Sequence, residues 1–253
     1  MKVIWFFLLC SCLSFTGMSQ KFRFASSIGS SRISWYENQS TIDLGAQLSF
    51  KLPQKRYEIY AKVKTLGNLQ TASVDRTNYA FVEAPITQNN TPLSQSAGLF
   101  SNYRGGQAQF GVLWHFASGL QPIIELYSKS IARKISYDRS QYIEEEKYAL
   151  HGISLGLQYE AKIKASKLIL HGKLFEPLYH NIKVYGKNMG VPIESVKTSN
   201  ALSFQTGLEV RVKKYGLTLQ YELLNMGEAN MPTSKSIPAT EAQFVSSLLT
   251  YYF

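Results

Sequence analysis

The chain has 253 residues, 45% of them hydrophobic and 13% aromatic, with a formal net charge of +10. Its basic residues are dispersed singly, without a Lys/Arg block or a recognition helix, which argues against a nucleic-acid partner and for contact with lipid phosphates or acidic polymers. Beyond the first residues no run approaches the roughly 18 apolar residues of a spanning helix, so a mature chain that crosses a membrane crosses it in strands.

At the N-terminus, Met1 and Lys2 form a short basic region, an apolar run follows over 3–9, and Gly17-Met18-Ser19 is a small-x-small site. This pattern predicts a secretory signal peptide over 1–19, cleaved before Gln20, followed by a single domain over 20–253. The alternative, a lipobox-like reading of Leu9-Cys10-Ser11-Cys12, leaves too short a signal. Both cysteines fall in the removed segment, so the mature chain is expected to hold no disulfide, no thiol nucleophile and no Cys-ligated metal.

The body reads as ten amphipathic strands. The first lies near 22–35. The clearest is 41–52, where Ile42, Leu44, Ala46, Leu48 and Phe50 share one face and Asp43, Gln47, Ser49 and Lys51 the other. The two-residue period recurs over 57–65, with Tyr57, Ile59, Ala61 and Val63 on the apolar face, and over 107–116, with Ala108, Phe110, Val112, Trp114 and Phe116. Segments near 121–135, 149–160 and 167–176 follow, then 201–212 with Leu202, Phe204, Leu208, Val210 and Val212 on one face, and finally 217–224 and 242–253. The segments at 22–35 and 121–135 are the least regular and are expected to contain bulges.

Connections alternate in length. Tight ones are expected at 53–56, 117–120, 161–166 and 213–216. Long ones are expected at 66–106, 136–148, 177–200 and 225–241, with one short hairpin at 37–40 on the long side. That alternation fits an all-β, antiparallel, up-and-down transmembrane barrel of ten strands, with eight or twelve as alternatives, and it puts both termini in the periplasm. A hidden hairpin around 79–82 would supply two further strands. Seven of eight prolines fall in these connections and Pro122 at a strand start, where no ladder bond is lost. Aromatic residues gather near the strand ends: Phe50, Tyr57, Trp114, Phe116, Tyr159, Tyr251 and Phe253 on the short-turn side, Trp35, Tyr36 and Phe204 on the other.

The final segment alternates Val245, Leu249, Tyr251 and Phe253 on one face and stops on the aromatic residue. It resembles the C-terminal signal by which bacterial outer-membrane β-barrels are recognised by the barrel-assembly machinery, with Tyr251 and Phe253 as its carriers. Together with the N-terminal segment, it makes the whole chain similar to the small outer-membrane barrels of Bacteroidota. Some of these serve as accessory subunits of secretion, gliding or nutrient-uptake machines. The type IX secretion barrel with Tyr-Met-Phe-Asn-like and Asn-Pro-Ala-Tyr patterns is not matched, because residues 21–40 lack both. The resemblance implies an outer-membrane location, contact with outer-membrane lipid and lipopolysaccharide, and a partner among other envelope proteins; no enzymatic activity and no cofactor are expected, because paired catalytic chemistry is absent. A surface hydrolase or a narrow channel is the alternative.

With the apolar faces outward, the lumen receives Asp43, Lys51, Glu58, Lys62, Lys64, Glu125, Lys129, Arg133, His171, Lys173, Glu209, Arg211 and Glu222. Opposite charges on neighbouring strands can pair, so a polar plug that fixes register is favoured over an ion pathway. Omptin proteases, also ten-stranded, use acidic pairs and a His at the outer rim; lipid A deacylases and outer-membrane phospholipases use a His and a Ser on the lipid-facing wall. Here His115 and His171 are expected inside, and His151 is expected on the face opposite to Ser154. His180 falls in a loop without a partner motif, and the acids Asp75, Asp138, Glu144 to Glu146 and Glu228 read as solvated rim carboxylates. No metal-ligand spacing, phosphate loop or nucleophile elbow is present.

The recognition surface is then expected in two connections rich in apolar residues. Tyr79, Phe81, Phe100 and Tyr103 mark 66–106, and Tyr179, Tyr185 and Ile193 mark 177–200. A self-packed cap is the alternative for both.

Overall fold

The computed structural model describes residues 22–52, 56–69, 71–73, 87–88, 91–92, 99–116, 118–137, 141–186, 194–197, 201–228 and 239–253. Ten long strands form one antiparallel sheet: β1 (Phe22–Ser34), β2 (Asn38–Lys51), β3 (Tyr57–Asn68), β4 (Leu99–Trp114), β5 (Leu120–Tyr137), β6 (Gln141–Ile163), β7 (Ser166–Gly186), β8 (Ser203–Val212), β9 (Tyr215–Met226) and β10 (Thr240–Tyr252). Each pairs with its sequence neighbour, and β10 returns to pair with β1 from Ala25↔Tyr252 to Ser34↔Gln243. The sheet is therefore a closed barrel, with no edge strand left open. Short accessory strands flank it: Ala72–Ser73 beside β4, Glu194–Lys197 beside β7, and a separate hairpin of Thr87–Gln88 with Thr91–Pro92.

All ten strands expose large apolar side chains on the outer wall, among them Ile28, Leu44, Val63, Phe110, Leu126, Leu155, Leu174, Val210, Leu217 and Leu249. Inside, polar and charged side chains such as Asp43, Lys64, Gln109, Glu125 and Gln220 predominate, with Leu113, Ile123, Ile169 and Leu248 among them. Every strand of the closed sheet presents this pattern, which suits a hydrocarbon exterior and requires that no backbone group be left unpaired there. The chain is a membrane-spanning barrel. Rings gather at the end carrying both described termini: Phe22 against Phe50 (4.7 Å between centroids), Phe24 against Phe253 (5.2 Å), Tyr57 against Trp114 (5.9 Å) and Tyr215 against Tyr251 (5.3 Å).

At the terminal end β3 starts at Tyr57 after β2 ends at Lys51 and β5 starts at Leu120 after β4 ends at Trp114, and two-residue turns at 164–165 and 213–214 join β6 to β7 and β8 to β9. The two-residue turns begin on Lys164 (φ 54) and Lys213 (φ 53), the described non-glycine residues with left-handed backbone. At the opposite end the strands run further than the alternation alone indicates. The connection expected at 136–148 is only 138–140, since β5 reaches Tyr137 and β6 starts at Gln141. The one expected at 177–200 begins only after Gly186, and β4 starts at Leu99 rather than near 107. The wall formed by β5, β6 and β7 thus rises beyond the lipid belt, which on β6 ends near Ile153, where His151, Ala149 and Lys147 follow on the outer face. About ten residues of β6 stand above that level, or about 33 Å of strand.

Pro177 is consequently not in a connection. It lies inside β7 at a bulge, where Pro177 pairs with Gly152 and Tyr179 with His151, leaving Leu178 as the extra residue. Among the described residues the other edge of β7 carries no ladder partner there, because β8 pairs only as far as Phe175 and Glu194–Lys197 begins at Asn181. A proline is accommodated at such a bulge, where the ladder is already interrupted. The segment 22–35, expected to be irregular, pairs without a register shift. The 121–135 segment shifts register only at its far end, between Ile135 and Ser136.

Candidate functional site

The interior divides into three levels. At the end remote from the termini, Ile33, Leu66, Tyr103, Ile131, Tyr148, Leu150, Phe175, Ile182, Val184, Leu224, Met226 and Phe244 form a packed hydrophobic core inside the barrel. Polarity therefore inverts along a single strand. On β6, Leu155 and Leu157 face out while Ser154 faces in; four to eight residues earlier in the chain, Lys147 faces out while Tyr148 and Leu150 are fully buried inside. The part above the belt is built like a water-soluble protein, apolar within and polar without.

That core is capped by the β1–β2 turn, which folds inward. Trp35 packs on Tyr103 (5.6 Å, stacked), Tyr148 (4.7 Å, edge-on) and Tyr36 (4.8 Å), and its Nε1 donates to Thr240 Oγ1 at 3.3 Å. Trp35 and Tyr36 are near the expected end of the barrel, but they seal its mouth and do not belong to an interface girdle. Glu37 follows them inside. Arg133, with no exposed surface, donates from Nε to Glu37 Oε2 at 3.2 Å, from its second terminal nitrogen to Oε1, and from NH1 to Glu146 Oε1 at 3.2 Å. Tyr103 and Ser101 hydroxyls also donate to Glu37 Oε2, at 2.6 and 3.0 Å. The Arg133 guanidinium lies 4.4 Å from the Tyr36 ring centre, and burial, followed by the nearby Glu146 charge, pushes the Tyr36 phenol up to about 12.

A second level crosses the middle of the lumen. Lys129 Nζ donates to Glu222 at 2.5 Å and lies 3.9 Å from the Phe244 ring centre. Lys64 meets Asp43 at 3.1 Å, and Asp43 also accepts from Ser31 and from Thr41 at 3.1 Å. Glu125 is the hub of the layer below: it accepts from Lys173 (2.6 Å), Ser154 (2.9 Å), Gln109 (3.4 Å) and Tyr60. Desolvation of these charges is offset by their mutual pairing, which makes the layer a rigid partition more than a source of net stability.

The third level, at the terminal end, is a cavity of about 230 Å³. Arg211 Nε donates to Glu209 at 2.9 Å, and its NH2 donates to Tyr252 at 2.7 Å. Lys167 meets Glu160 at 2.6 Å, and His115 Nε2 lies 3.1 Å from Glu58. The His171 ring lies against Gly207, where a Cβ would come within 2.5 Å of Cε1, so only glycine admits the ring at that depth. Lys62 lines the same space, and among the described residues no hydrogen bond or ion pair holds it.

All thirteen expected lumen residues face the interior, with Glu58, Lys62, Glu125, Lys129, Arg133, Glu209, Arg211 and Glu222 distributed over the three levels. Glu37 and Glu146 were missed as members. Glu146 reads as a rim acid in a loop, but the extension of β6 carries it inside, where it has no exposed surface; Glu145 is buried too, between Arg104 (2.5 Å) and Lys147 (3.5 Å). The signal available was the spacing of Glu146, Tyr148 and Leu150 on one face of an uninterrupted strand.

The proposed contact residues separate. Tyr103 is no surface residue: β4 starts early enough to carry it into the core, with no exposed area. Phe100 is partly buried on β4, Tyr185 is partly buried under Lys147 Nζ (4.3 Å to its ring centre), and Tyr179 is exposed on the outer wall of β7. Tyr79, Phe81 and Ile193 lie outside the described residues, as does the hairpin considered around 79–82. His180 is in β7 and buried, not in a loop. His151 and Ser154 do face opposite ways. The sheet sets Ser128 on β5 and Tyr179 on β7 across from His151, whose ring centre is 5.7 Å from that of Tyr179; among the described residues no hydrogen bond joins Ser128 to His151. No group of acids, histidines and cysteines suited to a metal occurs among the described residues.

No family model and no curated protein matches the sequence. Among solved structures, the chain is similar to the outer-membrane protease OmpT of Escherichia coli at 7% identity, covering 92% of this chain and 94% of that one with a TM-score of 0.49. It is similar to the translocator domain of the autotransporter NalP of Neisseria meningitidis at 9% identity, with 96% and 91% covered and a TM-score of 0.45. The attachment protein Ail of Yersinia pestis gives 9% identity, 92% and 99% covered, and a TM-score of 0.39. These likenesses are of barrel architecture alone.

Proposed function

We propose that this chain is a bacterial outer-membrane barrel of the small Bacteroidota type that works without catalysis, as an accessory or interaction subunit of an envelope complex. In this reading residues 1–19 are a signal peptide, both termini of the mature chain are periplasmic, and the projecting wall of β5, β6 and β7 stands outside the cell. The observation that carries it is the packed core across the far half of the lumen, capped by Trp35 and Arg133. A barrel filled in this way has no route for solute, which disfavours a narrow channel, and leaves its outer surface for recognition. The wall offers Tyr179, Lys183 and the edge of Tyr185, and the sequence of 74–86 and 187–193 holds further apolar residues. A surface hydrolase would need a polarised nucleophile, and Ser128 beside His151 lacks the hydrogen bond that would make one.

The test is affinity purification of the tagged protein from its own outer membrane in mild detergent, beside a variant in which 187–193 is replaced by a tight turn. A partner recovered with the first and lost with the second, while both remain heat-modifiable on gels, supports the reading. Turnover of phospholipid, lipopolysaccharide or unstructured peptide by the purified barrel, abolished by His151→Ala, would replace it with the hydrolase.

A further inference from the structure

We infer that the blind cavity at the terminal end is a binding site for a phosphate group. Its depth is fixed by the partition above it: beyond Lys62 and Gln205 lies a void of about 10 Å³ lined by Lys64, Gln107, Gln109 and Gln220, and then the Lys64–Asp43 and Lys129–Glu222 pairs and the hydrophobic core. A solute entering at the terminal end meets a closed floor. The cavity is therefore a pocket rather than a stretch of channel.

Its charge is unbalanced in one direction. Its lining sets six cations, Arg23, Lys51, Lys62, Lys167, Lys173 and Arg211, against three carboxylates. Glu160 has Lys167 and Glu209 has Arg211 and Tyr252, while Glu58 lies 3.1 Å from His115, which offsets its charge only when protonated. The cation Lys173 is held by Glu125 in the partition. That leaves Lys62 on the cavity wall and Arg23 and Lys51 at its mouth, on three adjacent strands, without an ion pair or hydrogen bond among the described residues. A positive group left without a partner in a space walled by protein is disfavoured unless an anion joins it. Three cations on separate strands around a concave polar space match a compact multivalent oxyanion, and ammonium groups act on phosphate as point charges. The cavity holds several times the volume that one water needs, enough for a phosphate group with part of its hydration. The same end of the barrel borders the rings that mark the bilayer surface, so the phosphate could come from a free solute or from a lipid headgroup. The inference stands independently of any partner at the far rim.

The test is phosphorus NMR of the detergent-solubilised barrel, in a phosphate-free buffer with ionic strength held by sodium chloride. One arm uses inorganic phosphate and the other short-chain dihexanoyl phosphatidic acid. Wild-type protein should broaden the phosphorus line of at least one of them. Lys62→Gln should weaken binding at least tenfold and Arg23→Gln about threefold, while Lys183→Gln, the same charge change on the outer wall, leaves it unaltered. Arg23 is exposed at a strand start, so its variant reports on binding even if Lys62→Gln fails to fold. Broadening by inorganic phosphate supports a solute site, and broadening by the lipid alone supports a headgroup site. Absence of broadening in both arms, broadening that survives Lys62→Gln and Arg23→Gln unchanged, or displacement by an equal concentration of succinate would overturn the assignment.

Discussion

Lys129 on β5 and Glu222 on β9 meet across the lumen at 2.5 Å, both almost fully buried, and they join walls that no ladder connects. The pair is the partition between the hydrophobic core above and the polar cavity below. Breaking it by Lys129→Met strands a buried carboxylate and should cost about 3–5 kcal/mol, whereas Lys129→Met with Glu222→Leu should recover most of that loss. Urea unfolding of the barrel in lipid vesicles measures both. A single variant as stable as wild type would mean that water reaches Glu222 freely and the partition is not closed.

A lumen packed with Phe244, Ile131 and Tyr148 and locked by Arg133 should not conduct. Wild-type protein in planar bilayers is expected to give no steady ohmic current at 1 M salt, an order-of-magnitude condition chosen to suppress surface-charge effects. A combined Arg133→Ala and Phe244→Ala variant removes the lock and a main filler, and it should show flickering openings. Stable conductance by the folded wild type would show that the core opens as a unit.

The ten strands were legible because lipid and lumen impose a two-residue alternation, and that alternation was strong in Ile42 to Phe50 and in Ala108 to Phe116. The same rule hid the upper half. It assigns apolar residues to the outside, and above the belt solvent replaces lipid, so Tyr103, Leu150 and Ile182 belong inside. Once apolar residues ceased to mark the outer face, 99–106 and 177–186 read as polar connections seeded with aromatics. Glu37 was illegible for a different reason: nothing local in Trp35-Tyr36-Glu37 says that a three-residue turn folds into the barrel mouth, since its partner Arg133 is distant in sequence.

Phe253 joins the closing strand at its last residue: its N–H donates to Phe24 O at 3.0 Å, and its ring packs on Phe24 and Tyr251. Phe253→Ser should lower the amount of folded, heat-modifiable protein in the membrane several-fold, more than the loss of one 66% exposed ring accounts for by area. Normal amounts would mean that the seam between β1 and β10 closes without it.

Lys164 and Lys213 hold left-handed backbone at the first position of two-residue hairpin turns, where glycine or asparagine is favoured. Relief of about 1 kcal/mol of local strain, reduced by the added flexibility of the unfolded chain, should give Lys213→Gly a net gain of about 0.5 kcal/mol. The unfolding midpoint in urea reports it. A loss of stability would show that the Lys213 side chain makes a contribution larger than its backbone cost.

The extra residue Leu178 shifts the parity of every position above it on β7. Before the bulge the even positions Leu170 and Leu174 face lipid; after it the even positions His180, Ile182 and Val184 are buried inside. In a strand without a bulge, the alternation running on from Leu174 would carry Ile182 and Val184 out into solvent and turn Asn181 and Lys183 into the core, because a one-residue slip reverses every side chain in a strand. Deleting Leu178 alone removes the bulge but sets Tyr179 beside Pro177, opposite His151 as before, and leaves the phase above unchanged, so that variant should keep the projecting wall folded. Deleting Leu178 and Tyr179 together reverses the phase and should unfold the wall while leaving the belt below Pro177 intact. The double deletion is expected to remain heat-modifiable and membrane-inserted, and to be cut by external protease within 141–151 or 180–186, segments protected in the wild type and in the single deletion. Equal protection of the double deletion and the wild type would mean that the wall re-registers around the loss, and that the inward phase of Ile182 and Val184 is imposed by the core and not by the alternation along β7.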